Sequence, residues 1–249
     1  MEFCQLNIFH YYRFGCLEYY IVLMENLTVI VPVYNEELFL EQSLDRLLAL
    51  EKDFKILIVD DCSSDNSPNI AQQYAKEYEY ITFIKKNNNG GKGSVLKEAF
   101  KHVNTDFSVI HDADLEYFPQ DLLIMYKNMD KNSFVLGSRF IGNIKRENIY
   151  LRTYIANKVM SYFFSIVFLK KVTDIATCYK MFPSHVIQSQ TIKERGFSIE
   201  IEIAAKLIKS KLNYSEVPIK YSGRTYDEGK KIKFSDGILY LVNTIKYRF

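Results

Sequence analysis

The sequence predicts an α/β fold with a mainly parallel central sheet. Short, almost uninterrupted apolar runs recur along the first half of the chain, and a segment with helical periodicity follows each of the first three. Polar residues gather where the runs end. Strands that alternate with helices imply right-handed crossovers, which bring the carboxyl ends of the strands to one edge of the sheet, where ligands bind.

The first strand–helix unit begins at residue 27. Leu27 to Val33 is a β-branched run, typical of a strand buried on both faces. Asn35 is predicted to cap the next helix, with Glu36 and Glu37 in its first turn. Four leucines at helical spacing form one apolar stripe on this helix: Leu40, Leu44, Leu47 and Leu48.

The unit recurs along the next sixty residues. Lys55 to Val59 reads as a second buried strand, and Pro68 opens the helix that follows. Tyr80 to Ile84 is a third strand, followed by a polar loop from Asn87 to Gly93 and then a helix. A fourth strand, Phe107 to Ile110, completes the pattern.

The pattern loosens beyond residue 130, but no linker or internal repeat appears, so residues 24–249 are predicted to form one domain. The later predicted elements are a strand from Phe134 to Gly137, a helical region around 148–169, a helix near 198–210, a strand near Tyr214 to Tyr221, and a terminal helix from about Phe234. The apolar side chains of the region around 153–169 suit either core packing or a helix lying on a membrane.

Length and composition bound the class of protein. A chain of 249 residues with 48% hydrophobic content can bury one substantial core. Its 32 basic and 30 acidic residues give a formal charge of +2, which argues against nucleic-acid binding by broad electrostatic attraction. The four cysteines are too scattered for a zinc pattern and too few for a disulfide scaffold, which favours a reducing cytosol.

The first 23 residues are predicted to be an extension of the domain. They are rich in Tyr and Phe, but Glu2, Arg13 and Glu18 fall inside what would be the apolar region of a signal peptide. Met24 directly precedes the first strand, so the segment is either an extra surface helix or the product of a mis-called translation start. No apolar run reaches the roughly 18 to 20 residues of a membrane span, and Val159 to Leu169 comes nearest.

Two carboxylates one residue apart follow the fourth strand, in the sequence His111-Asp112-Ala113-Asp114. Mg²⁺ and Mn²⁺ favour one or two carboxylates and keep coordination positions for phosphates and water, so Asp112 and Asp114 predict a metal site that holds a diphosphate. An Asp-x-Asp sequence also occurs in ordinary solvated turns, and the motif alone is weak. His111 is expected to pack in the core.

Several segments, in their order and spacing, resemble family 2 glycosyltransferases of the GT-A fold, in the branch of dolichyl- and polyprenyl-phosphate sugar synthases. The resemblance implies a Rossmann-like three-layer sandwich and an inverting enzyme without a nucleophile of its own. It covers residues 27–249. The segments are Val31 to Glu36, Val59 to Asp65, Asn89 to Gly93, Asp112 to Glu116, Gly137 to Phe140, Asp174 to Lys180, Gly196 to Glu202, and Arg224 to Ile232.

The resemblance also implies residues that bind the donor, a nucleoside diphosphate sugar. Asp61 would accept a hydrogen bond from the base, and Lys92 would lie beside the phosphates. Asp112 and Asp114 would hold the divalent metal, with Glu116 as an additional ligand. The remaining donor-binding residues by this resemblance are Pro32, Tyr34, Asn35, Glu36, Gly93, Ala113 and Lys231. Lys231 belongs to a segment that resembles a mobile loop closing over the diphosphate.

Arg139, Arg152 and Arg224 match arginines that relatives place around the two phosphate groups. An acceptor phosphate is already ionised near neutral pH and needs no strong base. A hydroxyl acceptor does need one, and Glu200 is the candidate in that case.

The sequence therefore predicts transfer of a glucose- or mannose-type hexose to a polyprenyl or dolichyl phosphate, at the cytoplasmic face of a membrane that the protein contacts peripherally. The alternative within the class is transfer to a hydroxyl of a cell-surface glycan or polysaccharide. Two alternatives come from other classes: a nucleotidyltransferase, whose glycine-rich basic signature near the first strand is missing, and an inactive nucleotide-sugar-binding module.

Overall fold

The computed structural model describes residues 24–144, 146–224 and 234–249, and a seven-stranded sheet runs through them. The predicted extension (residues 1–23) and Lys231 lie outside the described residues. The strands of this sheet are β1 (Leu27–Val33), β2 (Lys55–Asp60), β3 (Ile81–Lys85), β4 (Phe107–Ile110), β5 (Ser133–Ser138), β7 (Lys180–Pro183) and β8 (Asn213–Pro218). A separate two-stranded sheet consists of β6 (Arg146–Glu147) and β9 (Tyr221–Ser222).

The strands of the large sheet lie in the order β3-β2-β1-β4-β7-β5-β8. Strands β1 to β4 are mutually parallel, β8 is parallel to β5, and only β7 runs antiparallel to its neighbours. The predicted α/β class with a mainly parallel sheet is confirmed. Because β1, β2 and β4 are adjacent and parallel, the loops that follow them meet at one edge of the sheet.

Apolar burial explains why the first four strands were predictable. In β1, every residue except Pro32 is buried, and successive side chains point to opposite faces, so both faces of the strand are covered. The described helices are α1 (Leu40–Leu48), α2 (Ser67–Glu77), α3 (Lys92–His102), α4 (Asp121–Lys127), α5 (Leu151–Phe168), α6 (Ser184–Gln188), α7 (Ile199–Lys209) and α8 (Phe234–Arg248).

One prediction at the end of β1, the helix cap at Asn35, is wrong. Pro32 lies inside the strand, opposite Val59 of β2. It is tolerated there because β4 pairs with β1 only as far as Ile30. Asn35 is not a helix cap, since α1 begins at Leu40 after an irregular turn.

The backbone and side chain of Asn35 are used elsewhere. Its φ angle is 50°, in the left-handed region, and its side-chain oxygen accepts a hydrogen bond from the Ser64 backbone N–H at 2.9 Å. The Asn35 N–H donates to Ser63 Oγ, also at 2.9 Å. The loop after β1 is thus joined to the loop after β2.

The second half of the chain contains elements that the sequence did not indicate: α4, α6, β6 and β7. The predicted strand near Tyr214 to Tyr221 is split, because β8 ends at Pro218 and β9 pairs with β6 instead of continuing the sheet. The predicted helical region around 148–169 is α5: Phe164 and Phe168 stack in the core, and other apolar residues of the helix face outward. No helix in the described part of the chain is long and apolar enough to cross a membrane.

The amino end of α3 packs tightly against the segment before α7. Gly91 has a φ angle of +79°, and the Gly93 N–H donates to the Arg195 carbonyl at 2.6 Å. A Cβ atom on Gly93 would lie 2.1 Å from the Glu194 carbonyl oxygen, and one on Gly91 would lie 2.7 Å from that of Arg195. Glycine is required here for close approach of protein backbone.

We expect Gly93→Ala to lower the free energy of unfolding by about 1 to 3 kcal/mol, because the Glu194 backbone must move to admit the methyl group. Gly237→Ala is the matched control. Gly237 lies in α8 with nothing near its Cβ position, so alanine there should raise stability by about 0.5 to 1 kcal/mol. Urea unfolding measures both changes. A Gly93→Ala protein as stable as the wild type would contradict the close contact.

Candidate active site

Asp112 and Asp114, in the loop that follows β4, each face a cation from a distant part of the chain. Asp112 Oδ2 lies 2.8 Å from the Lys92 ammonium group, on the first residue of α3. Asp114 Oδ2 lies 3.2 Å from Nη2 of Arg224, which follows β9. Ala113 is buried between the two aspartates. The fold thus brings together four of the residues singled out in the sequence.

Arg224 also joins the aspartate loop to the loop after β1. Its Nη1 donates to Glu36 Oε2 at 3.0 Å and its Nη2 donates to Glu36 Oε1 at 3.2 Å. The two bonds make a bidentate pair, the geometry in which guanidinium binds carboxylate most specifically. Glu36 and Arg224 therefore hold the ends of β1, β4 and β9 together around Asp114.

The carboxylates around Asp114 carry an excess of negative charge. Burial, followed by the nearby charges of Glu116 and Asp112, raises the pKa of Asp114 to about 7, although Arg224 acts in the opposite direction. A divalent cation would relieve this crowding, and carboxylate oxygens are the donors that Mg²⁺ and Mn²⁺ prefer. The donor set at Asp112 and Asp114 therefore fits such a cation.

The described residues contain no group of three or more His, Cys, Asp or Glu side chains that could hold a metal ion. A cation at Asp112 and Asp114 would then complete its coordination with phosphate oxygens and water, as Mg²⁺ commonly does. Glu116, predicted as an additional ligand, has both oxygens occupied by protein donors. Tyr221 Oη donates to Oε2 at 2.6 Å, and the Arg224 N–H donates to Oε1 at 2.8 Å. Each oxygen keeps a second lone pair, so metal binding by Glu116 stays a prediction.

A buried chain of alternating charges lies behind Asp112. Lys92, which contacts Asp112, lies 2.7 Å from Glu200 Oε1, and the other oxygen of Glu200 lies 2.5 Å from the Lys180 ammonium group. Lys180 is fully buried and also donates to the Thr177 carbonyl. The role of Lys180 was not predicted, because a lysine at the start of a strand has no local signal for burial.

The two lysines determine the chemistry of Glu200. Burial alone would raise the pKa of this carboxyl, but Lys180 and then Lys92 outweigh burial and hold the pKa below its usual value. Such a carboxylate accepts a proton poorly, so Glu200 is badly suited to act as a general base. Its contacts make it the counter-ion of both lysines.

Asp61 fixes the glycine loop that precedes α3. Its oxygens accept hydrogen bonds from the Gly90 N–H at 3.0 and 3.1 Å and from the Gly91 N–H at 2.6 Å, and Lys86 pairs with it as well. The predicted hydrogen bond to a nucleotide base would have to compete with these donors. The neighbouring Asp60 has a buried oxygen, Oδ1, without a hydrogen-bond partner among the described residues.

The loop after β1 offers exposed polar groups beside the Asp61 loop. Tyr34 is 42% exposed, and Asn35 is exposed next to Ser63 and Ser64. This edge of the sheet, at the carboxyl ends of β1 and β2, is where the sequence predicted the nucleoside.

The three predicted phosphate-binding arginines occupy different environments. Arg224 lies in the carboxylate cluster, and Arg152 lies exposed on the first turn of α5. Arg139 is buried and makes a two-pronged ion pair with Asp174, through Nε at 2.7 Å and Nη2 at 2.8 Å. The Arg139 guanidinium also lies 4.9 Å from the centre of the Tyr221 ring. Arg139 is thus engaged by the protein itself.

His111 and Cys178 are parts of the core. His111 is buried with its ring nitrogens 3.2 Å from Ser43 Oγ and 2.9 Å from Tyr179 Oη. Burial, followed by the charge of Arg46, lowers the pKa of His111 to about 3. Burial raises the pKa of the Cys178 thiol well above its usual value, so a nucleophilic thiolate is disfavoured.

Solved structures with the same architecture identify the fold. The chain is similar to glucosyl-3-phosphoglycerate synthase from Mycobacterium tuberculosis in complex with Mn²⁺, UDP and phosphoglyceric acid. The TM-score is 0.69 at 15% identity, over 90% of this chain and 78% of that chain. It is also similar to a mannosyltransferase from Pyrobaculum calidifontis in complex with GDP-Man and Mn²⁺, with a TM-score of 0.55 at 16% identity, over 90% of this chain and 72% of that chain. At these identities the likeness shows the fold, which is the GT-A fold of glycosyltransferases.

The sequence comparisons give the family. The profile of Glycosyl transferase family 2 matches residues 28–189, and the chain belongs to this family. A curated relative, the undecaprenyl-phosphate 4-deoxy-4-formamido-L-arabinose transferase of Photorhabdus laumondii subsp. laumondii, is 27% identical over 212 residues. The match covers 83% of this chain and 63% of that relative, so the chain spans less than two thirds of the relative's length.

The environment of Arg139 predicts a large effect on stability. We expect Arg139→Met to lower the free energy of unfolding by about 3 to 5 kcal/mol, because Asp174 is left buried without its partner. The double variant Arg139→Met/Asp174→Leu should recover much of this loss, since no unpaired charge remains. Arg152→Met, at an exposed position, is the control and should change stability by less than about 0.5 kcal/mol.

Urea unfolding of the wild type and the three variants forms the test. An Arg139→Met protein with unchanged stability would contradict the structural role of this arginine. It would favour a role in binding phosphate instead.

Proposed function

We propose that this chain is an inverting, metal-dependent hexosyltransferase that moves a glucose- or mannose-type sugar from a nucleoside diphosphate sugar to a polyprenyl or dolichyl phosphate. The observation that carries the proposal is the pairing of Asp112 and Asp114 with Lys92 and Arg224 at the carboxyl edge of the parallel sheet. Two carboxylates that suit a divalent cation, beside two partly buried cations, form a site for a diphosphate. The acceptor comes from the curated relative, whose name specifies undecaprenyl phosphate.

In the proposed complex, the nucleoside lies along the loops after β1 and β2, against Tyr34 and Asn35. Asp61 holds the glycine loop in place, and Lys92 and Arg224 face the diphosphate. Asp112 and Asp114 hold Mg²⁺ or Mn²⁺, which when bound acts as a Lewis acid and stabilises the diphosphate leaving group. Mn²⁺ is present in two of the similar solved structures.

The chemistry of the described site residues favours a phosphate acceptor over a hydroxyl. A hydroxyl must lose a proton to a base, whereas a phosphate oxygen is already ionised near neutral pH. Glu200 has a lowered pKa and two lysine partners, and His111 is buried in the core with a pKa of about 3. Asp114, whose pKa is raised, is assigned to the metal. The acceptor oxygen forms a bond to C1 of the sugar as the bond from C1 to the diphosphate breaks, and the nucleoside diphosphate leaves.

This acceptor requires the site to work beside a membrane, and we propose peripheral contact with its cytoplasmic face. Arg152, exposed at the start of α5, is then available to the acceptor phosphate, while Arg139 supports the site from within the core. Arg224 is shared between the metal-binding loop and the phosphates.

The test is nucleotide release from a panel of UDP- and GDP-sugars with Mn²⁺, with and without a short polyprenyl phosphate. We expect the lipid phosphate to accelerate release for one donor, and chelation of the metal to abolish it. Asp114→Ala should lower the rate by at least about a hundredfold, because the leaving group loses its electrostatic stabilisation. Asp53→Ala, at an exposed position between α1 and β2, is the control and should leave the rate unchanged.

Two results would redirect the proposal. If donors are hydrolysed slowly and the lipid phosphate has no effect, the acceptor is a hydroxyl of a glycan, and Glu200→Gln should then abolish transfer. If donors bind without turnover in the presence of either kind of acceptor, the chain is a nucleotide-sugar-binding module.

A further inference from the structure

Helix α5 leaves a stripe of apolar side chains exposed along its whole length. These residues recur every three or four positions, so they lie on one face of the helix. They are Leu151, Ile155, Val159, Tyr162, Ile166 and Leu169, each at least half exposed. The opposite face, with Asn157, Ser161, Phe164 and Phe168, is buried.

Helix α8 packs beside α5 and exposes a second apolar stripe. Its exposed residues are Ile238, Leu239, Val242, Ile245 and the final residue, Phe249. Large exposed apolar patches are rare on monomeric proteins that do not bind a partner or a membrane through them. We call the exposed residues of these two stripes the α5–α8 face.

The charges around the α5–α8 face are mostly positive. Helix α5 contains no Asp or Glu, and α8 contains one, Asp236. The basic residues on and next to the two helices are Arg152, Lys158, Lys170, Lys171, Lys246 and Arg248. Lys246 is paired with Glu194 at 2.7 Å, so the positive charge of the face rests on the other five. Lys170 and Lys171 directly follow the helix and are exposed. An apolar stripe with Lys and Arg beside it is the pattern of a helix that lies in the plane of a membrane surface.

The amino end of α5 is connected to the active site. Strand β6 ends four residues before α5 begins, and it pairs with β9. The residue after β9, Gly223, donates its N–H to the Glu147 carbonyl at 3.0 Å, and Arg224 follows it in the aspartate cluster. The α5–α8 face therefore begins beside the residues assigned to the acceptor.

We propose that the α5–α8 face docks on an anionic phospholipid bilayer. The apolar stripes lie at the boundary of headgroups and acyl chains, and the basic residues contact headgroup phosphates. A second copy of this chain is a poorer occupant, because the same cations of two copies would meet across a two-fold interface, with few carboxylates on these helices to pair them. Presentation of a lipid phosphate to the site rests on the proposed function, whereas bilayer binding does not.

The test is sedimentation of the full chain with phosphatidylcholine vesicles, with or without phosphatidylglycerol. We expect stronger binding to the anionic vesicles, reduced by salt. Val159→Asp/Ile166→Asp should weaken binding by at least roughly tenfold, because it places charges in the apolar stripe that the bilayer would bury. The matched control is Tyr80→Asp/Ile124→Asp, which adds the same charge at exposed apolar positions on other elements and should bind as the wild type does.

A second pair of variants separates electrostatic from apolar binding. Lys170→Gln/Lys171→Gln should weaken binding to anionic vesicles while leaving binding to neutral vesicles unchanged. Lys76→Gln/Lys97→Gln, which removes two exposed lysines elsewhere, should have no effect on either.

Three outcomes would overturn the proposal: no vesicle binding by the wild type, equal binding by Val159→Asp/Ile166→Asp, or a dimer in solution that this variant dissociates. The transfer reaction keeps the two proposals apart. With a short polyprenyl phosphate in solution, Val159→Asp/Ile166→Asp should be as active as the wild type. With the lipid phosphate embedded in vesicles, the same variant should lose activity. Vesicle binding without transfer to any lipid phosphate would sustain the docking face and reject the proposed acceptor.

Discussion

The active-site region depends on compensation of the partly buried carboxylates that follow β4. A charge withdrawn from water is costly unless a partner of opposite charge is held close to it. Lys92 and Arg224 supply the partners for Asp112 and Asp114, and they come from α3 and from the residue after β9. Three segments far apart in the sequence must therefore meet at one point. The close contacts of Gly91 and Gly93 with residues 194–195, and the pairing of β6 with β9, bring the two cations there.

The same requirement extends behind the site. Burial acts to lower the pKa of Lys92, but Asp112 and then Glu200 outweigh burial and hold this pKa well above its usual value. Glu200 pairs with both Lys92 and Lys180. Asp112, Lys92, Glu200 and Lys180 thus form one network of alternating charge. Such a network is arranged before any ligand binds, so the cations need little reorganisation to meet a diphosphate. In the proposed reaction it is this arrangement, and not a nucleophile or a base, that the protein contributes.

The site and the α5–α8 face are related by a short path through the fold. Arg224 pairs with Asp114 and Glu36, and its backbone N–H donates to Glu116. Strand β9, just before Arg224, pairs with β6, and the start of α5 follows β6. If the proposed acceptor is correct, the lipid phosphate approaches along this path, with its chain in the bilayer and its phosphate at the cationic end of the site. The exposed apolar residues of α5 would then contact the bilayer that holds the acceptor, and the charged groups of the site would act on its phosphate.

Local sequence patterns determined the α/β class, the first four strands and the position of the aspartate pair. Strands buried on both faces are continuous apolar runs, and a run such as Phe107–Ile110 can be recognised without knowing its neighbours. The same runs placed Asp112, Lys92 and Asn35 at one edge of the sheet. Membership in the glycosyltransferase family was also predictable from the sequence, because several short motifs resemble those of the family in their order and spacing.

Only the tertiary structure decided which partner each charged group meets. Strand β7 was not predicted because it is short, runs antiparallel, and starts at Lys180, whose burial depends on Glu200. Arg139, predicted to bind phosphate, pairs with Asp174, and Glu116, predicted to bind the metal, accepts hydrogen bonds from Tyr221 and Arg224. The spacing of apolar residues along a strand or helix indicates which positions are buried, because one face of the whole element packs against the core. Its ionic partner lies tens of residues away, and no local pattern encodes a contact that exists only after the chain has folded.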